Sequence, residues 1–437
     1  MVSLSFFFVL AFGHGQLSKD SLTLHEVLRI VLDKNPVLKQ VEGSIEIANS
    51  NIGVAKSNQY PKVNLESSFT YTDPVSEVNL PIGDNPLVIP LFPNDNWNVY
   101  AGVQYLLYDF GRTKEVINIS KIQKSISEEE LEAARKKLTY SAVGLFNAIL
   151  FTQKAIKVQE RLISSLQRNL KRVDGLIQNG LATNFDRVNT KVRITTAQNK
   201  KTALQNSEDE LRHHLAEHMG FNPKTISHKI RIKGNLSLTR LKLENPSPQN
   251  STRSELTIAQ HLDSVLTGNQ ALTSKGNLPF VTIGGTTGYR NGYMPNLDEF
   301  TFNYAAFAKI TVPLFQGFKT KHELQIARTK VKNHKWRIEE VQNKIKTELE
   351  FAEESLQNYY EQFQKNKILI QQAEIAVFQA RKKYENQLVT NLDLLDTEVV
   401  LAGAELSLFE SEYKCVMAQY KVKEAMGVKL WESEIKQ

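Results

Sequence analysis

The chain has 437 residues, 41% of them hydrophobic and 23% charged, and a formal net charge of +7. That balance excludes wholesale disorder. Cys415 is the only cysteine, which excludes an intrachain disulfide and a thiolate metal cluster and leaves it as a small packed residue beside a helix seam.

Excess positive charge raises the question of nucleic acid. The basic clusters, such as Arg135-Lys136-Lys137 and Lys382-Lys383, lie among acids such as Glu128, Glu129, Glu130 and Glu385. They read as solvated helix faces, and no nucleic-acid partner is expected.

Residues 1–15 have the outline of a signal peptide: an apolar run from Leu4 to Phe12, then Gly13 and Gly15 before a cut at Gln16. No Lys or Arg precedes the run, and a buried N-terminal strand is the rival reading. Thr23 with Glu26 makes a capping box for a first helix carrying Leu24, Val27, Leu28 and Val31. Pro36 follows it, and a second helical piece is expected to about Ser57.

From Pro61 the apolar period drops to two. Val63, Leu65, Phe69 and Tyr71 alternate with Asn64, Glu66, Ser68 and Thr70, and the pattern returns from Trp97 to Leu107. A hairpin over about 61–108 follows, its strands about the 9–11 residues that cross a bilayer. The stretch between them holds Pro74, Pro81, Pro86, Pro90 and Pro93 and reads as an exposed loop. A second pair runs over about 279–313, from Phe280 to Tyr289 and from Phe302 to Val312; its Gly284, Gly285 and Gly288 relax a curved sheet. Soluble hairpins are the plainer alternative, but aromatics such as Tyr71, Trp97, Tyr108, Tyr289 and Phe302 at the strand ends fit membrane girdles better. No later run reaches the ~18 apolar residues of a membrane helix, so a span here must be a barrel.

A very long helix follows each hairpin. From Thr113 to Gln178 a 4-3 seam runs through Leu138, Ala142, Leu145 and Ile149 to Val173 and Ile177, interrupted by Thr152 and Gln159. Its counterpart, Thr320 to Asn386, shifts by one residue at Leu349. At ~1.5 Å per residue each is a rod of roughly 100 Å. Asn179-Gly180 and Asn386-Gln387 are tight turns, after which Thr183 with Asp186 and Thr390 with Asp393 cap return helices. Gly180 should need positive φ, and since Gln387 holds the matching place the two turns are expected to differ.

The turns expose a tandem repeat. NGLATNFDRV at 179–188 matches NQLVTNLDLL at 386–395, and Met219-Gly220 matches Met426-Gly427. The chain divides into a first repeat, 16–220, a polar connector, 221–275, carrying one short helix, and a second repeat, 276–437. His214, Glu217 and His218 match an H-x-x-E-H zinc-protease pattern, but they end a long helix without a cleft or third ligand. They read as an ordinary polar helix end, so no enzyme, metal or cofactor is expected.

The pattern Tyr384, Thr390, Asp393, Leu395, Asp396 before a helix ending Ala425-Met426-Gly427, with Gly180-Leu181 and Asp186 in the first repeat, resembles TolC-type outer-membrane efflux channels. The resemblance covers nearly the whole chain after the leader. It implies a mainly α fold with a β-barrel part, four transmembrane strands and long coiled-coil helices per chain, and a homotrimer. The trimer would close a barrel of about twelve strands in outer-membrane lipid, continued by an α-helical barrel in the periplasm. It also implies a periplasmic adaptor and an inner-membrane pump as partners, in an efflux or type I secretion system. Six carboxylates from Asp393 and Asp396 would ring a cation-selective entrance, against helix capping and solvation as the plainer account. Tyr384 and Asp186 would share a closing network in which Val389 replaces the family's arginine. An outer-membrane adhesin with a helical stalk and a cytosolic coiled-coil scaffold are the alternative classes.

Overall fold

The computed structural model describes residues 21–82, 85–236 and 253–433. The leader expected over residues 1–15 lies outside them. Helices α1 (Leu24–Lys34) and α2 (Pro36–Ser57) come first, then strands β1 (Lys62–Tyr71), β2 (Glu77–Ile82), β3 (Asn85–Pro90) and β4 (Asp95–Tyr108). Helix α3 (Arg112–Gln178), α4 (Asn184–His218), the short α5 (Pro223–Ile226) and α6 (Ser254–Ser274) follow. Strands β5 (Phe280–Arg290) and β6 (Thr301–Thr311), then α7 (Lys319–Glu385), α8 (Asn391–Ala425) and α9 (Leu430–Ser433) complete the order. Two compact units form: 1–41, 131–254 and 342–437 make one, and 42–130 with 255–341 the other.

The second unit holds the sheet, in the order β1-β4-β5-β6, antiparallel throughout. Its register decides which side chains share a face. Val63 pairs with Val103, Leu65 with Ala101 and Phe69 with Trp97; Ala101 pairs with Thr287, and Tyr289 with Phe302. Because side chains alternate, most apolar strand residues fall on that one face, and Asn64, Glu66, Ser68, Asn98, Gln104, Asn303 and Lys309 fall on the other, together with Tyr100, Leu106, Phe280 and Phe307. The apolar face is bare within the chain, with Leu65 78% and Tyr304 80% exposed. Aromatic pairs mark both ends of it: Phe69 with Trp97 and Tyr289 with Phe302 near the loops, Tyr108 with Phe110 and Phe315 with Phe318 where the strands lead into helices.

Two expectations need correction. The proline-rich loop carries its own antiparallel hairpin, β2 with β3, pairing Val78 with Ile89 and Leu80 with Leu87. A two-stranded ribbon is all edge, so prolines fit wherever their missing N–H would have pointed outward. The connector's helix is not short: α6 has 21 residues. It lies close to α3, since a Cβ at Gly268 would come within 2.9 Å of Ile119 Cγ1.

In the first unit Val27, Leu28 and Val31 of α1, buried completely, join Val143 and Ile149 of α3 and Leu215 of α4 in the main core. Thr23 and Glu26 close the expected capping box on α1. Ahead of it, Leu22 N–H donates to Arg231 O at 2.7 Å and Lys233 N–H to Leu22 O at 2.9 Å. That short ribbon ties the start of the described chain to the connector. Helices α3 and α4 run antiparallel, matched by Gln153 with Glu208, Glu160 with Lys201 and Asp174 with Arg187, each rung a multiple of seven residues from the last.

Candidate functional site

The residues singled out by the repeat lie at the paired helix ends where α3 turns into α4 and α7 into α8. Leu181 N–H donates to Leu176 O at 2.8 Å and Gly180 N–H to Ile177 O at 3.0 Å. In the second repeat Leu388 N–H donates to Lys383 O at 2.8 Å and Gln387 N–H to Tyr384 O at 3.1 Å. Both are Schellman closures, which require a left-handed residue after the helix. Gly180 has φ of 70° and Gln387 of 58°. The expectation that the two turns differ is therefore corrected: the backbone is the same, and the two hydrogen bonds hold Gln387 where glycine would sit without strain.

The capping boxes form as expected. Asp186 Oδ2 accepts from Thr183 N at 3.0 Å and Oγ1 at 2.6 Å, and Asp186 N–H returns a bond to Thr183 Oγ1 at 3.2 Å. Asp393 Oδ2 accepts from Thr390 N at 2.9 Å and Oγ1 at 2.6 Å. The Thr390 bonds hold the Asp393 carboxyl below its ordinary range. Asp393 is thus a cap, with Oδ1 left over. Asp396 is not free either, because Arg193 Nη2 of α4 meets its Oδ1 at 2.6 Å.

Tyr384 is buried with Ala380 and Leu394, and Leu176 and Val389 pack on that cluster. Burial first, then the nearby Asp186, pushes its phenol upward. Asp186 spends its carboxylate on Thr183, and no described hydrogen bond joins it to Tyr384. Beside them Arg172 of α3 meets Glu385 of α7 at 3.0 Å. Sequence reasoning missed this pair, Arg193, and a buried amide network. Asn169 Nδ2 donates to Asn391 Oδ1 at 2.8 Å, and Asn391 Nδ2 donates to Thr190 Oγ1 at 3.2 Å. Asn391 and Thr190 are both buried, so one side chain ties α3, α4 and α8 together. The available signal was Asn391 directly after the N-cap Thr390, in a run otherwise apolar apart from its acids.

The H-x-x-E-H segment stays a helix end. His214 lies 3.8 Å from Glu217 and 3.9 Å from Glu210, and burial lowers His218 below its ordinary value. Among the described residues no group of three His, Cys, Asp or Glu is placed to hold a metal.

One four-stranded sheet with a bare apolar face and two open edges, built from a strand pair of each repeat, with an antiparallel pair of long helices after each pair, defines a class: β-sheet proteins of the outer-membrane type that carry long helices. The chain belongs to the outer membrane efflux protein family, whose pattern matches residues 27–220 and 250–428. It is 26% identical over 156 residues to the cation efflux system protein CusC of Escherichia coli K12, a stretch covering 34% of this chain and 31% of that relative. The matched stretch thus spans about a third of the curated relative's length. The fold is also that of the outer membrane protein VceC of Vibrio cholerae, with a TM-score of 0.78 at 19% identity, covering 93% of this chain and 96% of the other. The CmeC outer membrane channel of Campylobacter jejuni aligns with a TM-score of 0.79 at 14% identity, over 92% and 85% of the two chains. The family is one of efflux proteins of the outer membrane, a transport class rather than an enzyme class.

Proposed function

We propose that the chain is the outer-membrane exit duct of a tripartite efflux or type I secretion system. The observation that carries this reading is the sheet register: most apolar side chains on one face, most polar ones on the other, and unpaired edges at β1 and β6. Open edges in lipid leave backbone groups unsatisfied, so copies must join edge to edge. Two copies give about eight strands, whose interior fills with side chains; three give about twelve and leave a lumen. The polar face then lines the duct and the apolar face meets lipid.

At the helix tips Leu181, Phe185, Val188 and Val192 are all more than half exposed, an apolar row that runs from the turn before α4 along its first turns. We assign it to the hairpin of a periplasmic adaptor, which in turn holds an inner-membrane pump. Asp393 and Asp396 serve as the entrance acids as well as a cap and an ion-pair partner. Arg193 offsets Asp396, so a threefold entrance carries about three net negative charges rather than six.

The test is fractionation with cross-linking. The full chain, expressed with its leader, should be recovered in the outer-membrane fraction and cross-link as a trimer. Recovery as a monomer, or in the soluble fraction, would defeat the reading.

A further inference from the structure

The end of α4 stacks on the joint between α1 and α2. Asn35 Nδ2 donates to His218 O at 2.8 Å, and Asn35 Oδ1 accepts from Val37 N–H at 2.8 Å. Helix α3 packs on this joint through the main core. On its other flank α3 meets α8: a Cβ on Gly144 would stand 3.6 Å from Met417 Cε, and Tyr413 stacks on Phe151 with ring centroids 5.4 Å apart. Between the joint and α8 these elements leave a cavity of about 760 Å³. Its walls include Val37, Leu138, Leu145 and Tyr413, and its exposed rim carries His214 and Glu217 of the H-x-x-E-H segment, 3.8 Å apart. Among the described residues that line it there is no lysine or arginine, and Glu217 is the one carboxylate. Burial holds His218 below its ordinary value, so it adds no positive charge at neutral pH.

The cavity and the connector lie on opposite sides of α3. Val143 and Leu150 belong to the core shared with α1 and the connector, and a Cβ on Gly234 of the connector would come within 3.4 Å of Leu150 Cδ1. Ser141 and Ala148 line the cavity, each two residues before one of those core positions and so about 200° round the helix. In a tube of three copies, α1 and the connector cannot lie inside, because a layer about 10 Å thick from each copy would fill the passage. The cavity therefore opens on the lumen, and in this placement the inference rests on the duct reading.

We propose that this recess is a binding station in the duct wall for amphiphilic organic cations, one per chain. Its volume is that of a site for a drug-sized molecule. Val37, Leu138 and Leu145 take the apolar body out of water, and the Tyr413 ring offers its π-face to the charge. Glu217 at the rim offsets that charge. An anion of the same shape would gain the same apolar contacts but would meet a carboxylate and no cation.

Tetraphenylphosphonium and tetraphenylborate share one shape and differ in the sign of their charge. In equilibrium dialysis against the trimer in lipid nanodiscs, with empty nanodiscs as the blank, tetraphenylphosphonium should bind saturably and tetraphenylborate should not. Ser141→Trp places a large side chain at an exposed position in the recess and should abolish the saturable phase. Glu217→Gln keeps the shape and should weaken binding by about two- to fivefold, the range of an exposed charge pair. Should Ser141→Trp fail to assemble, the two probes on the unaltered trimer and Glu217→Gln still decide the matter. Saturable binding of both probes alike, or tetraphenylphosphonium binding unchanged in either variant, would overturn the station. A trimer that conducts without saturable binding would overturn the station alone, whereas one that binds as described but passes no current would overturn the duct reading.

Discussion

Gln387 is the sharpest single position at which to test the reasoning about the tips. Its φ of 58° is one that L-residues adopt at a cost of about 1–2 kcal/mol. Glycine removes that strain but returns about 0.4–1 kcal/mol of chain entropy to the unfolded state. Gln387→Gly should thus stabilise the turn by about 0.5–1 kcal/mol, the difference of the two. Gly180→Ala should lose a similar amount and no more, because a Cβ there meets nothing within 4 Å. Gly220 supplies the contrast: its φ is 75°, and a Cβ would lie 2.5 Å from Lys34 O, so Gly220→Ala adds a backbone clash to the same strain. The assay is hydrogen exchange at the closing amides, those of Leu388, Leu181 and Phe221, which report local opening. Exchange at Leu388 should slow by about two- to fivefold in Gln387→Gly, and at Leu181 should quicken by about as much in Gly180→Ala. Faster exchange at Leu388 in Gln387→Gly, or equal losses at Gly180 and Gly220, would refute the argument.

Arg193→Ala should raise the cation selectivity of the reconstituted duct, because it leaves Asp396 uncompensated; reversal potentials in a salt gradient check this. Asp393→Asn should weaken the capping box and also reduce selectivity, so a change in selectivity without faster exchange at the start of α8 would separate the two roles. Asn391→Ala strands the Asn169 amide and should cost about 1–3 kcal/mol, read as a lower urea midpoint. His218 titrates below its ordinary 6.5 because burial disfavours its charged form. The unfolded chain then takes up the proton first, so stability should fall as pH drops through about 6.5 and level off below the folded value. His218→Gln should abolish that slope in melting curves taken between neutral and mildly acid pH.

Periodic features were legible in the sequence. The long helices, expected over Thr113–Gln178 and Thr320–Asn386, form over Arg112–Gln178 and Lys319–Glu385, because a 4-3 seam without proline, broken only at Thr152 and Gln159 and shifted once at Leu349, still favours one helix through each run. Period-two alternation likewise located the four strands of the sheet to within a few residues. The connector's one helix, α6, is expected from the sequence but as a short one, although Ala259, Leu262 and Val265 fall at helical spacing, because Gly268 and the polar residues around them resemble a linker. At the tips, Thr183 with Asp186 and Thr390 with Asp393 could be read because a capping box is local. Arg193 with Asp396, Arg172 with Glu385 and the Asn391 network could not, because such links depend on which helices become neighbours.

Planar-bilayer recording of the purified trimer tests the central claim most directly. A lumen lined by the polar face of the sheet should give discrete, ion-conducting steps of uniform size, and reversal potentials favouring cations. A folded, membrane-inserted trimer that passed no current across a range of voltages would contradict the account, since the strands would then enclose no duct.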